Sequence, residues 1–259
     1  MKITIFTGNQ PRHFNLVKQL AEVADEVFCI QETLTVRPGL VDDFFRKSEI
    51  MQRYFGNVMH AEKLLFGGLS FMPKNVRSLC LRSGDLIHLT PEELQPALEA
   101  DMFIVFGSSY IKGWLCDYLV KRKAINIHMG LSPYYRGSSC NFWALHDRRP
   151  SYVGATIHLL SQGLDNGDIL FHCLPKDIIG DPFLFTMKSV EVAQTALKER
   201  IRSGEIHRID AIAQDPTKEK RYSRNKEFDD NKALAFLEQM ESWADIIPEY
   251  PELKMPWFG

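Results

Sequence analysis

Asn126 and His128 stand two residues apart in the run Ala124-Ile125-Asn126-Ile127-His128-Met129-Gly130-Leu131-Ser132-Pro133-Tyr134-Tyr135-Arg136-Gly137. On a β-strand that spacing sends both side chains to the same face. An amide donor beside an imidazole at a strand's end is equipped to stabilise an oxyanion and to manage protons. The competing reading is an Asn and a His that satisfy loop carbonyls at a sheet edge. A carboxylate follows in Ser161-Gln162-Gly163-Leu164-Asp165-Asn166-Gly167-Asp168-Ile169-Leu170, where Asp165 is placed to fold back onto His128. Asp-Asn-Gly is also a common turn, so Asp165 alone carries little weight.

Ligands of open α/β sheets bind beyond the carboxyl ends of the strands. Three such ends are polar here: Gly8–His13, Gly107–Tyr110 and Asn126–His128. None of them is a familiar phosphate motif. GxGxxG and GxxxxGK[ST] are absent, and so are HExxH, GxSxG and paired CxxC, so the dinucleotide, P-loop, metalloprotease, serine-hydrolase and zinc-ribbon readings lose their fingerprints.

The surrounding pattern supplies the sheet. Lys2–Thr7 is β-rich, Gly8-Asn9-Gln10-Pro11 punctuates it, and Phe14, Leu16, Val17, Leu20 and Val23 recur at helical spacing before a second β-rich run, Glu26–Ile30. This is a βαβ opening, which predicts a parallel sheet. Val41–Phe66 reads as one or two amphipathic helices closed by Gly67-Gly68, and Val76–Leu81 as a short strand. Thr90-Pro91-Glu92-Glu93 is a helix start with a capping-box pattern. Ala100–Phe106 and Ala124–His128 read as buried strands on either side of a helix, Gly113–Lys121. Val153–Leu160 and Asp168–Leu174 then form an antiparallel pair appended to the parallel sheet, and Pro182–Ile201 a helix. Beyond Ser203-Gly204 the chain turns polar and basic, with a helix over Asn231–Trp243 and a Pro-rich tail. The expectation is an α/β catalytic domain over 1–203, Rossmann-like and mostly parallel, with a small extension over 204–259.

Composition agrees with a globular protein: of 259 residues, 45% are hydrophobic and 25% charged, and the formal net charge is −2. Disorder, collagen-like repeats and short-period solenoids are excluded. A sequence pI near 6.5 gives no global advertisement for nucleic acid or an anionic membrane. No run of about 18 apolar residues is present to span a bilayer. The start MKITIFTGNQPRHF does not read as a signal peptide. Five widely spaced cysteines, Cys29, Cys80, Cys116, Cys140 and Cys173, are expected to be free thiols in a reducing cytoplasm.

Taken together and in order, the two segments resemble the formyltransferase family that uses 10-formyltetrahydrofolate. The resemblance runs from Lys2 to about Ile201. It is sharpest from Asn126 to Gly137, where the family has Asn-x-His-x-x-x-x-Pro-x-x-x-Gly, and from Val153 to Leu170, where it has a strand, a Leu-Asp-x-Gly-like turn and a strand. It implies the formyltransferase fold and a catalytic trio of Asn126, His128 and Asp165. In that reading Asn126 and His128 donate to the formyl oxygen as charge builds on it, and Asp165 orients His128, raises its pKa and helps remove the amine proton. Ser108, Ser109, Tyr110, Ile111, Gln162, Gly163 and Leu164 lie in the two segments that resemble the family's folate-holding stretches. No metal is expected.

Within the family the acceptor is read from what differs. The loop Gly8-Asn9-Gln10-Pro11-Arg12-His13 departs from the Gly/Ser-rich phosphate loop of glycinamide ribonucleotide transformylase. The short, slightly acidic chain argues against the tRNA of methionyl-tRNA formyltransferase. Asn141-Phe142-Trp143 and Lys220-Arg221-Tyr222-Ser223-Arg224 resemble runs of the sugar-nucleotide N-formyltransferases. The expectation is therefore formylation of a nucleotide-linked amino sugar of the O-antigen or lipopolysaccharide type, GDP-perosamine being one candidate. The alternatives are glycinamide ribonucleotide, methionyl-tRNA, or a non-catalytic folate-binding module. Asn9, Gln10, Arg12, His13, Arg136 and Trp143 are the expected substrate contacts. The extension, rich in large apolar groups such as Phe236, Trp243, Trp257 and Phe258, is expected to pack on the catalytic domain or on a second subunit, in a cytoplasmic homodimer with neither nucleic-acid nor membrane partners.

Overall fold

Short, mostly buried runs whose successive side chains leave opposite faces, separated by amphipathic helices, produce a sheet covered on both sides. In β1 (Lys2–Thr7), Ile3 and Ile5 feed one apolar cluster and Phe6 the other. In the chain order that follows come α1 (Pro11–Ala21), β2 (Glu26–Thr33), α2 (Glu49–Phe66), β3 (Val76–Arg82), α3 (Pro91–Leu94), β4 (Met102–Phe106), α4 (Trp114–Lys121) and β5 (Ile125–His128). Then follow β6 (Tyr135–Gly137), α5 (Cys140–His146), β7 (Ala155–Leu159), β8 (Ile169–Leu174), α6 (Pro182–Arg202), β9 (Arg221–Ser223), α7 (Asp230–Glu238) and β10 (Trp257–Phe258). The structure, a computed structural model, describes residues 1–39, 46–239, 246–247 and 249–259.

The main sheet has the order β10-β8-β7-β5-β4-β1-β2-β3. From β5 to β3 every pairing is parallel, while β7 runs antiparallel to both β5 and β8. A second sheet of two parallel strands joins β6 to β9. Buried on both faces, β4 is wholly apolar, and β1 buries every residue but Lys2, including Thr4 and Thr7. Leu16, Val17 and Leu20 of α1 and Val190, Ala193 and Leu197 of α6 cover one face. Leu94, Leu98, Leu115 and Leu119 cover the other. This mostly parallel α/β sheet has the expected antiparallel pair at its mixed edge.

Several elements differ from the pattern in instructive ways. Thr90 does close a capping box with Glu93, yet α3 lasts one turn, because Gln95 precedes Pro96 and a pre-proline residue is pushed out of the helical region. The helix expected over Val41–Phe66 starts at Glu49, where Ser48 Oγ accepts from the Met51 N–H, and Gly67, at φ +73°, ends it. Residues 41–45 of that expectation lie outside the described residues. So do 240–243, Trp243 and Pro248 at the C-terminal end, where α7 is described to Glu238. The Pro-rich tail carries a strand that no periodicity announces: β10 extends the main sheet beside β8, with Trp257 opposite Cys173 and Phe258 opposite Leu174. Among the described residues no helix is long and apolar enough to cross a membrane.

Candidate active site

The carboxyl ends of β4 and β5 open into a cavity of about 1060 Å³. On β5, Ile125 and Ile127 are drawn into the larger apolar cluster, so Asn126 and His128 face the opposite side. The turn after β7 brings Asp165 over them. His128 Nδ1 lies 3.3 Å from Asp165 Oδ2, and the Asn126 amide donates to Asp165 Oδ1 at 3.4 Å. The structure thus brings together the three residues that the sequence singles out, 37 and 39 positions apart at most.

Both nitrogens of His128 face acceptors, Asp165 on one side and the Tyr135 carbonyl at 3.2 Å on the other. Only the doubly protonated ring satisfies both. Burial works against that charge, but the Asp165 carboxylate and Cys140 outweigh it and hold His128 well above the usual 6.5. Asp165 is nearly buried too; burial pushes its pKa up, yet His128, His158 and the Gly137 N–H leave it below the ordinary carboxylate value. Gly137 is at φ +89°, and a Cβ there would sit 2.0 Å from the Ser223 carbonyl, so this donor depends on glycine.

His158 is the residue the sequence reading missed. It lies directly across the antiparallel pair from Asn126, and its Nε2 is 3.0 Å from the Asn126 amide nitrogen. Its Nδ1 faces the Leu159 carbonyl at 2.8 Å, so Nδ1 carries the proton and Nε2 accepts from Asn126. Burial, followed by repulsion from His128, lowers its pKa to about 4, so it stays neutral and fixes the Asn126 carboxamide. The signal was available in the pairing of Ala124–His128 with Val153–Leu160, whose register sets 126 opposite 158.

The same wall holds Ser108, Ser109, Tyr110 and Ile111, and on the turn Gly163 and Leu164. Gln162 itself is turned away: its carbonyl accepts from the Tyr110 hydroxyl at 2.8 Å and its amide donates to Asp117. Arg12, His13, Ser138, Ser139, Tyr222, Arg224 and Asn225 also line the cavity, His13 lying against Phe106 and Gly107. The remaining expected substrate contacts do not reach the cavity. Trp143 is 1% exposed in the core, where the Arg221 guanidinium stacks 3.7 Å from its ring, because α5 is buried all round. Asn9 is spent on the backbone of Leu34, and Gln10 is buried against the first turn of α1. Arg136 is tied to Glu219 and to the Leu164 carbonyl. Among the described residues no three His, Cys, Asp or Glu side chains gather as a metal site.

An NMR titration of the imidazoles should show His128 with a midpoint above 6.5 and His158 with one near 4. The sign for stability follows from the raised folded value. Pairing of His128 stabilises fully below the unfolded 6.5 and is lost as pH rises through the raised value. A His128 midpoint at or below 6.5 would show that Asp165 does not hold the ring charged.

Comparison with known proteins places this geometry. Residues 93–179, which contain Asn126, His128 and Asp165, match the family described as Formyl transferase. The methionyl-tRNA formyltransferase of Trichlorobacter lovleyi is 28% identical over 110 residues, covering 40% of this chain and 34% of that protein. The chain thus spans about a third of the length of the curated relatives it matches. An N-formyltransferase from Helicobacter canadensis, solved with folinic acid and dTDP-3-aminofucose, superposes with a TM-score of 0.52 at 15% identity, covering 88% of this chain and 72% of that one. Glycinamide ribonucleotide transformylase 1 from Symbiobacterium toebii superposes with a TM-score of 0.53 at 16% identity, covering 83% and 94%. At such identities the structural matches show a shared fold, and residues 93–179 are similar to the formyl transferase family.

Proposed function

We propose that the protein transfers a formyl group from 10-formyltetrahydrofolate to the amino group of a nucleotide-linked amino sugar. The observation that carries formyl transfer is the Asn126–His128–Asp165 cluster, with a charged His128, in the wall of a large cavity at the strand ends. Negative charge that builds on the formyl oxygen meets the Asn126 carboxamide and the His128 imidazolium in a partly dehydrated site. The 3.4 Å contact from Asn126 to Asp165 is the weaker of its two hydrogen bonds and the one a substrate oxygen would replace. The attacking amine sheds one proton and the departing folate nitrogen takes one up. The His128–Asp165 pair lies in the same wall to carry it, directly or through water. For the folate, the backbone of Gly107–Ile111 and Gly163–Leu164 offers polar groups beside apolar Val105, Ile111 and Leu160. The Helicobacter canadensis relative, crystallised with a folate derivative, supports this donor.

The acceptor reading rests on the mouth of α1. A helix N-terminus beyond β1 is where this kind of sheet would cradle a phosphomonoester. Here Pro11 has no N–H to offer, the Arg12 N–H points to the buried Glu62 carboxylate, and the His13 N–H donates to the Gln10 carbonyl. Neutral His13, its pKa driven well below 6.5 by burial and then by Arg12, plugs the gap against Gly8 and Gly107. That argues against glycinamide ribonucleotide. The Arg224 side chain and the exposed Tyr222 ring instead provide a cation and a stacking face suited to a nucleoside diphosphate, beside an Arg12 whose guanidinium is paired with Glu62 at 2.6 Å. Placement in O-antigen or lipopolysaccharide assembly in the cytoplasm follows from the sugar class. A homodimer is supported by the exposed Leu64, Leu69 and Phe71. The curated relatives keep a second reading alive, formylation of methionyl-tRNA.

The deciding experiment incubates the protein with 10-formyltetrahydrofolate and a panel of nucleotide amino sugars, glycinamide ribonucleotide and methionyl-tRNA. Mass spectrometry should find one formyl group added to a nucleotide amino sugar. Formylation of glycinamide ribonucleotide or methionyl-tRNA alone would overturn the acceptor reading, and none at all would overturn the activity.

A further inference from the structure

Asp165 owes its direction to an awkward backbone. Its φ is +49°, in the left-handed region, a conformation that persists only where the surroundings hold it. Two residues on, a Cβ at Gly167 would lie 1.8 Å from the Leu159 carbonyl, so the turn is pressed against the end of β7. The hold from the other side comes from residues far away in sequence. Gln214 Nε2 donates to the Asp165 carbonyl at 2.9 Å and to the Gly167 carbonyl at 2.8 Å. Both hydrogens of one carboxamide thus span the two ends of the turn.

Gln214 is itself fixed. Ile212 and Ile169 exchange backbone hydrogen bonds of 2.7 and 3.0 Å just before it, and Asp215 caps the short turn of Pro216–Lys218 just after it. Its Oε1 is buried with no hydrogen-bond partner. A buried carboxamide with an unsatisfied oxygen costs stability, and it is tolerable here because its nitrogen is engaged twice. Arg136 adds a parallel tie, donating to the Leu164 carbonyl at 3.2 Å.

We propose that Gln214 is a positioning residue for the Asp165 turn, holding the carboxylate at its distance from His128. This deepens the proposed formyl transfer and rests on it for its consequence in turnover. The chemistry demands an amide: a Glu at 214 would set oxygens against two carbonyls. The charged and titratable groups that face His128 are Asp165 on the turn, Cys140 on α5 and His158 on β7, with Arg136 acting on His158. Of these, Gln214 touches only Asp165, so its removal reports on that one partner.

The test uses Gln214→Met, which keeps the length and apolar bulk and deletes the donors, with Gln214→Asn as a second variant should Met not fold. Circular dichroism and thermal melting first establish a native fold. The His128 imidazole midpoint should then move down from its wild-type value, and kcat for formyl transfer should fall roughly 10- to 100-fold, as for a displaced catalytic group, with KM for the folate little changed. An unmoved His128 titration together with an unchanged kcat in a folded variant would overturn the positioning role. Absence of formyl transfer by the wild type would instead overturn the proposed activity, and the titration would still decide whether Gln214 holds Asp165.

Discussion

Asp165→Asn should leave the fold intact and lower turnover by roughly 100- to 10,000-fold, the range associated with loss of a positioned acid–base group. The carboxylate is the partner that keeps His128 charged: with a carboxamide there, the ring loses its proton at neutral pH and the cavity wall loses its cation. His128 is 6% exposed and Asp165 11%, so removing one partner would strand a buried charge if the other could not respond. His128 can respond by deprotonating, and for that reason catalysis should suffer far more than stability. His128→Asn and Asn126→Ala should each fall by at least about 100-fold, the typical worth of one oxyanion donor. The double variant His128→Asn/Asp165→Asn should be scarcely worse than either alone, since the two act as a unit. Single-turnover rates and circular dichroism check these outcomes, and near-normal turnover in a well-folded Asp165→Asn protein would remove the pair from the mechanism.

The part of this site that was legible in sequence is the part that depends on local periodicity. Asn126 and His128 are visible because a four-residue strand with two isoleucines between polar groups has one way to face a core. Asp165 needed the joint pattern of two distant segments. His158 follows only from register, which no single strand contains. Trp143 failed for a different reason. Residue type announces a large apolar surface, but whether α5 turns it to a ligand or to the core depends on what packs around the helix, and every residue from Cys140 to Leu145 is buried. Asn9 and Gln10 sit in the right loop yet spend their polar groups on their own backbone neighbourhood, an outcome fixed by the arrival of Leu34 and by the first turn of α1. Among strands, β10 was hidden because two residues after a Pro-rich stretch carry no period, and its partner β8 is more than 80 residues earlier.

Truncation after Ser203 should yield an aggregating, inactive chain rather than a trimmed enzyme. The contacts show that this cut would not leave the trio's supports in place. β9 supplies the only pairing of β6 among the described residues, and β6 ends at Gly137, whose N–H supports Asp165. Gln214, which ties down the Asp165 turn, leaves with the same segment. The removal also strips the core. Phe236 and Leu237 of α7 are 3% and 6% exposed, and Phe236 and Phe228 pack at 4.8 Å against Phe142, within an aromatic cluster that includes Tyr54 and Phe183. At roughly 1.5–3 kcal/mol for each fully buried large side chain, losing a few of these approaches a domain's whole stability of about 5–15 kcal/mol. The cut further bares the β8 edge that β10 covers, and removes the Met255 carbonyl and the Trp257 ring that hold Arg200 over Phe171. Size-exclusion chromatography, thermal melting and formyl transfer by residues 1–203 check the outcome. A soluble, cooperatively folding 1–203 with unchanged kinetics would show that the Asp165 turn and the aromatic cluster stand without their C-terminal supports.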